Sequence, residues 1–379
     1  MSAPGCCPEP SETPGIHRLF GDDFSYYSGK TRAYLKFKQI PFEEITPTTD
    51  IYRRVIVPRT GVKYIPVVIT PDDIAIQDTT DIIDFLEDRY PDPAVYPSSP
   101  RQHLVALLFE VYGDEWLLLP AMHYRWRYNY DFAISEFGRL ADPEADAATR
   151  QRLGAERAKP FAGALPLLGI TDQTGPAIES GYLELLDRLN RHFEHYPFLL
   201  GTRPSLGDFG LIGPLYAHLY RDPKSGALMR ERAPQVAVWV GRMMTPDGSP
   251  GTFLDGDTVP DSLFPILHHM FAEHFPLLID TAEQVAGWLA SHPDADIPRV
   301  IGSHEVSIYG VRTHRAIFPY AQWMLQRPLA FYQAQRGQAQ RALDDFLTPL
   351  GGREAMSYRV PRPLIRRHNR LAPAPMTEL

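Results

Sequence analysis

The chain has 379 residues, 44% of them apolar, which is enough for two or three compact units with substantial cores. A net charge of −8 argues against a fold-wide basic face for nucleic acid. No run of roughly 18 apolar residues is present to cross a membrane. Residues 1–15, MSAPGCCPEPSETPG, lack a basic n-region and an apolar core, so they read as a disordered tail rather than a signal peptide. Both cysteines, Cys6 and Cys7, lie there, adjacent and without CxxC spacing. They supply no disulfide framework, which fits a reducing cytoplasm.

In chain order, IHRLFG (16–21) reads as a short strand and SGKTRAYLKFKQI (28–40) as a helix with Ala33, Phe37 and Ile40 roughly on one face. FEEIT is a second strand, and a charged, irregular stretch follows over 50–63. IPVVIT, the turn PDD and IAIQ read as an antiparallel hairpin. TTDIIDFLEDRY places Ile82, Ile83, Phe85 and Leu86 in a helix that ends before Pro91. The order βαβαββα within 16–90 predicts a small mixed sheet with helices packed on its faces.

PDPAVYPSSP (91–100) is Pro- and Ser-rich and reads as a linker. Beyond it, over 101–356, strands nearly vanish. Helical patterns cover about 101–138, 149–168, 177–195, 205–221 and 228–244, and after a Gly/Pro/Asp-rich loop about 262–290 and 314–348. HEVSIYGV (304–311) fits a strand or a helix. The basic, Pro-rich 357–379 reads as an extended tail.

Two local features need a reason beyond folding. Pro66 stands at the start of a buried strand, where it offers no N–H to a ladder. Asp78 and Thr79 crowd the start of a helix, where one cap would suffice.

An α/β unit, a proline linker and a helical unit, in that order, resemble the glutathione transferase family. FSYYSGKTRAYLKFKQIPFEE is similar to the family's strand-to-helix loop and first helix, and YIPVV to its cis-proline motif. IQDTTDIIDFLEDRYP resembles its acid–Ser segment, and FLLGTRPSLGDFGLIGPL its capping-box motif. The resemblance covers about 16–245; the helical part from about 246 exceeds it. Tyr26 replaces the usual proline of the loop and Thr79 the usual serine.

The resemblance implies a thioredoxin-like domain over 16–90, an enlarged all-α domain over 101–356 and glutathione as co-substrate. It implies a homodimer acting on a small hydrophobic electrophile. Ser25, at a helix N-terminus, is the candidate donor to the glutathione thiolate, with Tyr26, Tyr27 and Ser28 as alternatives. A cis bond before Pro66 would free the backbone of Ile65 to pair with the tripeptide. Thr79 would hold the γ-glutamyl carboxylate at the helix N-terminus, and Asp78 the α-amino group.

Tyr112, Trp116, His123, Arg127 and Tyr130 fall near one helical face; Tyr26, Tyr27, Tyr112, Trp116 and His123 are the candidate walls of the second-substrate pocket, with core packing as the alternative. Ser205 and Asp208 have capping-box spacing.

Other motifs carry less. SGKT lacks the earlier glycine of a phosphate loop, because that position is Phe24. HYRWRYNY interleaves arginine with aromatics, as single-strand binders do, in an acidic chain. His269 and Glu273 are four apart, but the two-histidine helical metal spacing is missing, so no metal is expected. A glutaredoxin-like exchange would need a thiol near the loop, and none is there. The alternative from another class is a non-catalytic ligand-binding or assembly protein on the same scaffold.

Overall fold

The structure, a computed structural model, describes residues 15–375; the expected tail with Cys6 and Cys7 lies outside the described residues apart from Gly15. Four short strands form one mixed sheet: β1 (His17–Phe20), β2 (Phe42–Ile45), β3 (Val67–Ile69) and β4 (Ala75–Gln77), in the order β2-β1-β3-β4. β1 and β2 are parallel, and β3 is antiparallel to both β1 and β4. Alternation along the strands sends side chains to two faces. Phe20, Val67 and Ile69 pack with Ile56 on one face. Leu19 and Val68 join Ala33, Tyr34, Ile82 and Ile83 on the other, beneath the helices Tyr26–Phe37 and Thr79–Arg89. This is the thioredoxin-like unit.

The stretch expected to be irregular is helical over 49–60, with a π-turn at Tyr52–Ile56. Its charges obscured an apolar face of Ile51, Tyr52, Val55 and Ile56, which covers the sheet.

The long pattern expected over 101–138 is broken into Pro100–Val111, a π-turn at Tyr112–Trp116, and helices Leu118–Tyr128 and Tyr130–Ala141. The break occurs where the chain meets the helix Leu206–Ala217. A Cβ on Gly113 would sit 2.3 Å from the Gly210 carbonyl oxygen, and one on Gly210 would sit 2.6 Å from Glu110 Cα, so the approach requires glycine on both sides. The helix Leu206–Ala217 starts with the capping box read from the sequence: the backbone N–H of Ser205 donates to Asp208 Oδ2 at 2.8 Å.

The C-terminal residues add helices Phe275–Ser291, Pro319–Ala334 and Gly337–Leu347, and a hairpin of β5 (Ser303–Ile308) and β6 (Val311–Ala316), which settles HEVSIYGV as strand. Their apolar side chains, including Met270, Ile308, Met324, Leu325 and Leu347, belong to the same core cluster as the preceding helices. The 357–379 segment, expected to be an extended tail, contains a second hairpin, β7 (Leu364–Arg367) with β8 (Arg370–Pro373). Its composition gave no apolar run, yet Leu364 is buried against Val285, Leu289 and Ile317.

Candidate functional site

The sheet register brings the candidate residues together. Phe20 faces Val67, and Val67 faces Gln77, so the chain after β1, the chain before β3 and the chain after β4 meet at one end of the sheet. Those three segments carry Ser25, Ile65–Pro66 and Asp78–Thr79.

Ser25 is the N-cap of the helix Tyr26–Phe37, its Oγ accepting from the Ser28 N–H at 3.4 Å. The loop leading to it is held from behind by Arg125. That guanidinium is buried, paired with Asp222 through two bonds of 2.8 Å, and donates to the Phe24 carbonyl at 3.0 Å. It also lies 3.6 Å from the centroid of the Phe24 ring. Within the arginine–aromatic run HYRWRYNY, Arg125 and Trp126 thus pack inward, while Tyr128 and Tyr130 are exposed. Tyr26 donates to the Gly113 carbonyl and Tyr27 to the Asp114 carbonyl, the latter at 3.2 Å. Each phenol has one proton and has already given it. Burial also pushes both phenols well above the ordinary tyrosine range.

The Ile65–Pro66 peptide is cis, and Ile65 lies outside the ladder, which begins at Val67. Asp78 has φ +88° and ψ 136°, a conformation that costs a non-glycine residue about 1–3 kcal/mol. It is the N-cap of the helix that follows: Oδ1 accepts from the Thr80 N–H at 3.0 Å. Oδ2 accepts from the Tyr320 hydroxyl at 2.7 Å, and the carboxylate retains lone pairs for an ammonium group. Thr79 is the first helical residue, with its N–H at the positive end of the helix. Arg366 of β7 closes this corner, donating to the Gln77 carbonyl at 3.2 Å, to Gln77 Oε1 at 2.6 Å and to Asp81. Sequence reasoning missed Tyr320 and Arg366; they lie 242 and about 285 residues from their partners, and no local pattern announces such contacts.

Of the other pocket candidates, Tyr112 and Trp116 are fully buried beneath the C-terminal hairpin, where Trp116 Nε1 donates to the Tyr309 hydroxyl at 3.0 Å. His123 is buried and pairs with Glu179 at 2.7 Å, beside Tyr124 and Tyr128. Arg127 pairs with Asp172, and Tyr130 is exposed. The π-turn shifts the angular register within the stripe, which is why its members part company. His269 stacks on Tyr309 and His274 packs at a tilt against Trp116; no metal-holding group of three occurs among the described residues.

A buried charged cluster underlies the site. Lys30 Nζ lies 2.8 Å from Glu110 and 2.6 Å from Asp114, all three fully enclosed. Its sequence signal is spacing: Tyr26, Lys30, Ala33, Tyr34 and Phe37 share one helical face. The Arg327 guanidinium reaches Glu110 as well, at 3.2 Å, and burial pushes Asp114 above the ordinary carboxylate range, with Lys30 opposing.

Burial likewise pushes Glu115 up to about 8, with Arg315 opposing and Asp114 and Asp78 adding to the rise. A carboxyl raised above its unfolded value of about 4.3 favours folding fully below that value, and the contribution is lost as pH rises through the folded pKa. The melting temperature is therefore expected to fall between about pH 5 and pH 9, and Glu115→Gln to flatten that fall by a few kcal/mol at the upper end. Melting curves across this range check it; superimposable profiles for the two proteins would contradict it.

Residues 19–94 match the family model of the glutathione S-transferase N-terminal domain, and residues 170–242 that of the glutathione S-transferase C-terminal domain. Among solved structures, the chain is similar to a glutathione S-transferase from Rhodospirillum rubrum, with 16% identity, 65% of this chain and 96% of that chain covered, and a TM-score of 0.40. It is similar to one from Methylobacterium radiotolerans in complex with glutathione sulfonate, at 23% identity, with 65% and 100% covered and a TM-score of 0.38. It is also similar to the beta-etherase LigF from Sphingobium, at 15% identity, with 61% and 96% covered and a TM-score of 0.45. No curated protein matches the chain.

Proposed function

We propose, for a chain that belongs to the glutathione transferase family, that it binds glutathione at this end of the sheet and directs the thiolate at an electrophile. The observation that carries the reading is the register: Phe20, Val67 and Gln77 in one row bring the Ser25 cap, the cis Ile65–Pro66 bond and the strained Asp78 to one place. The γ-glutamyl carboxylate sits on the Thr79 N–H and hydroxyl, its ammonium on Asp78, and the peptide backbone pairs with Ile65. The sulfur then lies by Ser25. Its hydroxyl and the helix N-terminus favour thiolate over thiol. Ser25 is favoured over Tyr26 and Tyr27 because both phenols are committed to carbonyls. A lowered thiol pKa raises the fraction of nucleophile at neutral pH, and attack on carbon, ether or halide centres uses that same thiolate. The reading carries with it a small hydrophobic electrophile and a homodimer.

Calorimetric titration tests the site. Asp78→Ala and Thr79→Ala are each expected to weaken glutathione several-fold or more. Ser25→Ala is expected to leave affinity nearly unchanged, raise the pKa of the bound thiol and lower the rate at neutral pH. The separation arises because a sulfur contact discriminates between thiol and thiolate, whereas the γ-glutamyl contacts do not. Unchanged affinity in both of the first two variants would remove the proposal. If Tyr27→Phe moves the thiol pKa and Ser25→Ala does not, the sulfur contact passes to Tyr27. If no substitution over 24–28 moves it, the chain is a binder rather than an enzyme.

A further inference from the structure

The β5–β6 hairpin carries a buried arginine with no hydrogen-bond or carboxylate partner among the described residues; the Phe318 ring lies 5.8 Å from its guanidinium carbon. Arg315 is 3% exposed, makes no hydrogen bond to any described residue, and its Nη1 is fully enclosed. Buried charges are ordinarily paired, because an unpaired one forfeits its hydration without return. Other buried arginines obey that rule: Arg32 holds Glu44, and Arg125 holds Asp222.

The surroundings of Arg315 are specific. Its ionisable neighbours include Glu115, His274 and Tyr27, the last of which lies two residues beyond Ser25. Glu115 is also enclosed and accepts no hydrogen bond from Arg315, and the neighbouring Asp114 has an enclosed, unpartnered Oδ1. Across the ladder from Arg315 stands His304, whose Nε2 is enclosed and unpartnered as well. Residues directly opposite in an antiparallel pair share a face. Arg299 stacks over Tyr64 at 5.6 Å, next to Ile65, and its charge reaches Tyr27 and Glu115. A guanidinium fork without a hydrogen-bonding partner, in electrostatic reach of Tyr27, with a second arginine at the rim, has the chemistry of a carboxylate receptor.

We propose that Arg315, supported by Arg299, receives a ligand carboxylate beside the sulfur position, so that the C-terminal residues supply part of the substrate site. The carboxylate is either the glycyl end of glutathione or one borne by the electrophile. The inference rests on the glutathione reading for the place of the sulfur, but the binding of a carboxylate at Arg315 is measurable without glutathione.

The full chain and Arg315→Gln are compared with paired probes: glutathione against its glycyl methyl ester, and a chlorodinitrobenzoate against the matching chlorodinitrobenzamide. Binding is measured by calorimetry, the aromatic pair also in the absence of glutathione. The wild type is expected to prefer the acid of at least one pair by about tenfold or more, and Arg315→Gln to abolish that preference. Loss confined to the glutathione pair identifies the glycyl carboxylate; loss confined to the aromatic pair identifies the electrophile. If the benzoate depends on Arg315 while glutathione does not bind at all, the proposed function fails and this site stands. A wild type that prefers neither acid overturns the proposal, whether or not the variant folds. So does a folded Arg315→Gln that retains both preferences.

Discussion

Lys30→Met is expected to lower the melting temperature by roughly 5 °C, a loss of about 3–5 kcal/mol. The side chain is 0% exposed and, among the described residues, is the one cation within bonding distance of Asp114, at 2.6 Å. Methionine fills a similar volume, so packing is nearly conserved and the electrostatic consequence dominates. Glu110 keeps Arg327, whose Nε lies 3.2 Å away, and the Thr80 hydroxyl at 3.1 Å. Asp114 keeps nothing, and an uncompensated buried carboxylate must either take a proton or unfold the region. The partner substitution separates this account from simple loss of a contact: Lys30→Met with Asp114→Asn is expected to recover a large part of the loss, because the orphaned charge is gone. Thermal melts of the single and double variants check it. A single variant melting within about a degree of wild type would show that the cluster is not a source of stability.

Much of the fold was legible because its signals are local. Strand lengths, the hairpin IPVVIT–IAIQ, the capping box at Ser205 and Asp208, and the linker all depend on residues within a few positions of one another. The candidate site was partly legible for the same reason: Ser25, Ile65–Pro66 and Asp78–Thr79 sit in recognisable short motifs, and a strand register of three residues joins them. The failures share a cause. The helical 49–60 hid its apolar face among charges, and the aromatic stripe from Tyr112 to Tyr130 assumed an unbroken α-helix where Gly113 and Gly210 force a π-turn. Tyr320, Arg366 and Arg315 act across more than two hundred residues. A lone arginine in a C-terminal strand reads as solvated surface until the structure shows what lies over it.

Removing residues 246–379 is expected to cost more than any single substitution: the remaining chain should aggregate or persist only as a molten, dye-binding species. The helix Pro319–Ala334 lays Met324, Leu325 and Leu329, at 0%, 0% and 3% exposed, into the cluster that contains Leu104, Leu107 and Leu108 of the helix Pro100–Val111. Leaving a buried Leu or Met side chain in water forfeits about 1.5–3 kcal/mol each, and both faces of the interface lose. A handful of such residues exceeds the whole stability of an ordinary domain, about 5–15 kcal/mol. The polar side points the same way. Without Arg327, Glu110 and Asp84 lose their guanidinium, and without Tyr309 the buried Trp116 indole loses its acceptor. A shorter truncation starting at residue 357 removes Leu364 and the Arg366 clamp on Gln77 and Asp81 but leaves that helix interface in place. Its cost is expected to be moderate, with cooperative melting retained and the Asp78 corner loosened. Expression of both truncations, followed by gel filtration, thermal melting and glutathione titration, decides the matter. A soluble 1–245 fragment that melts cooperatively and binds glutathione like the full chain would mean that the C-terminal residues only decorate a self-sufficient core.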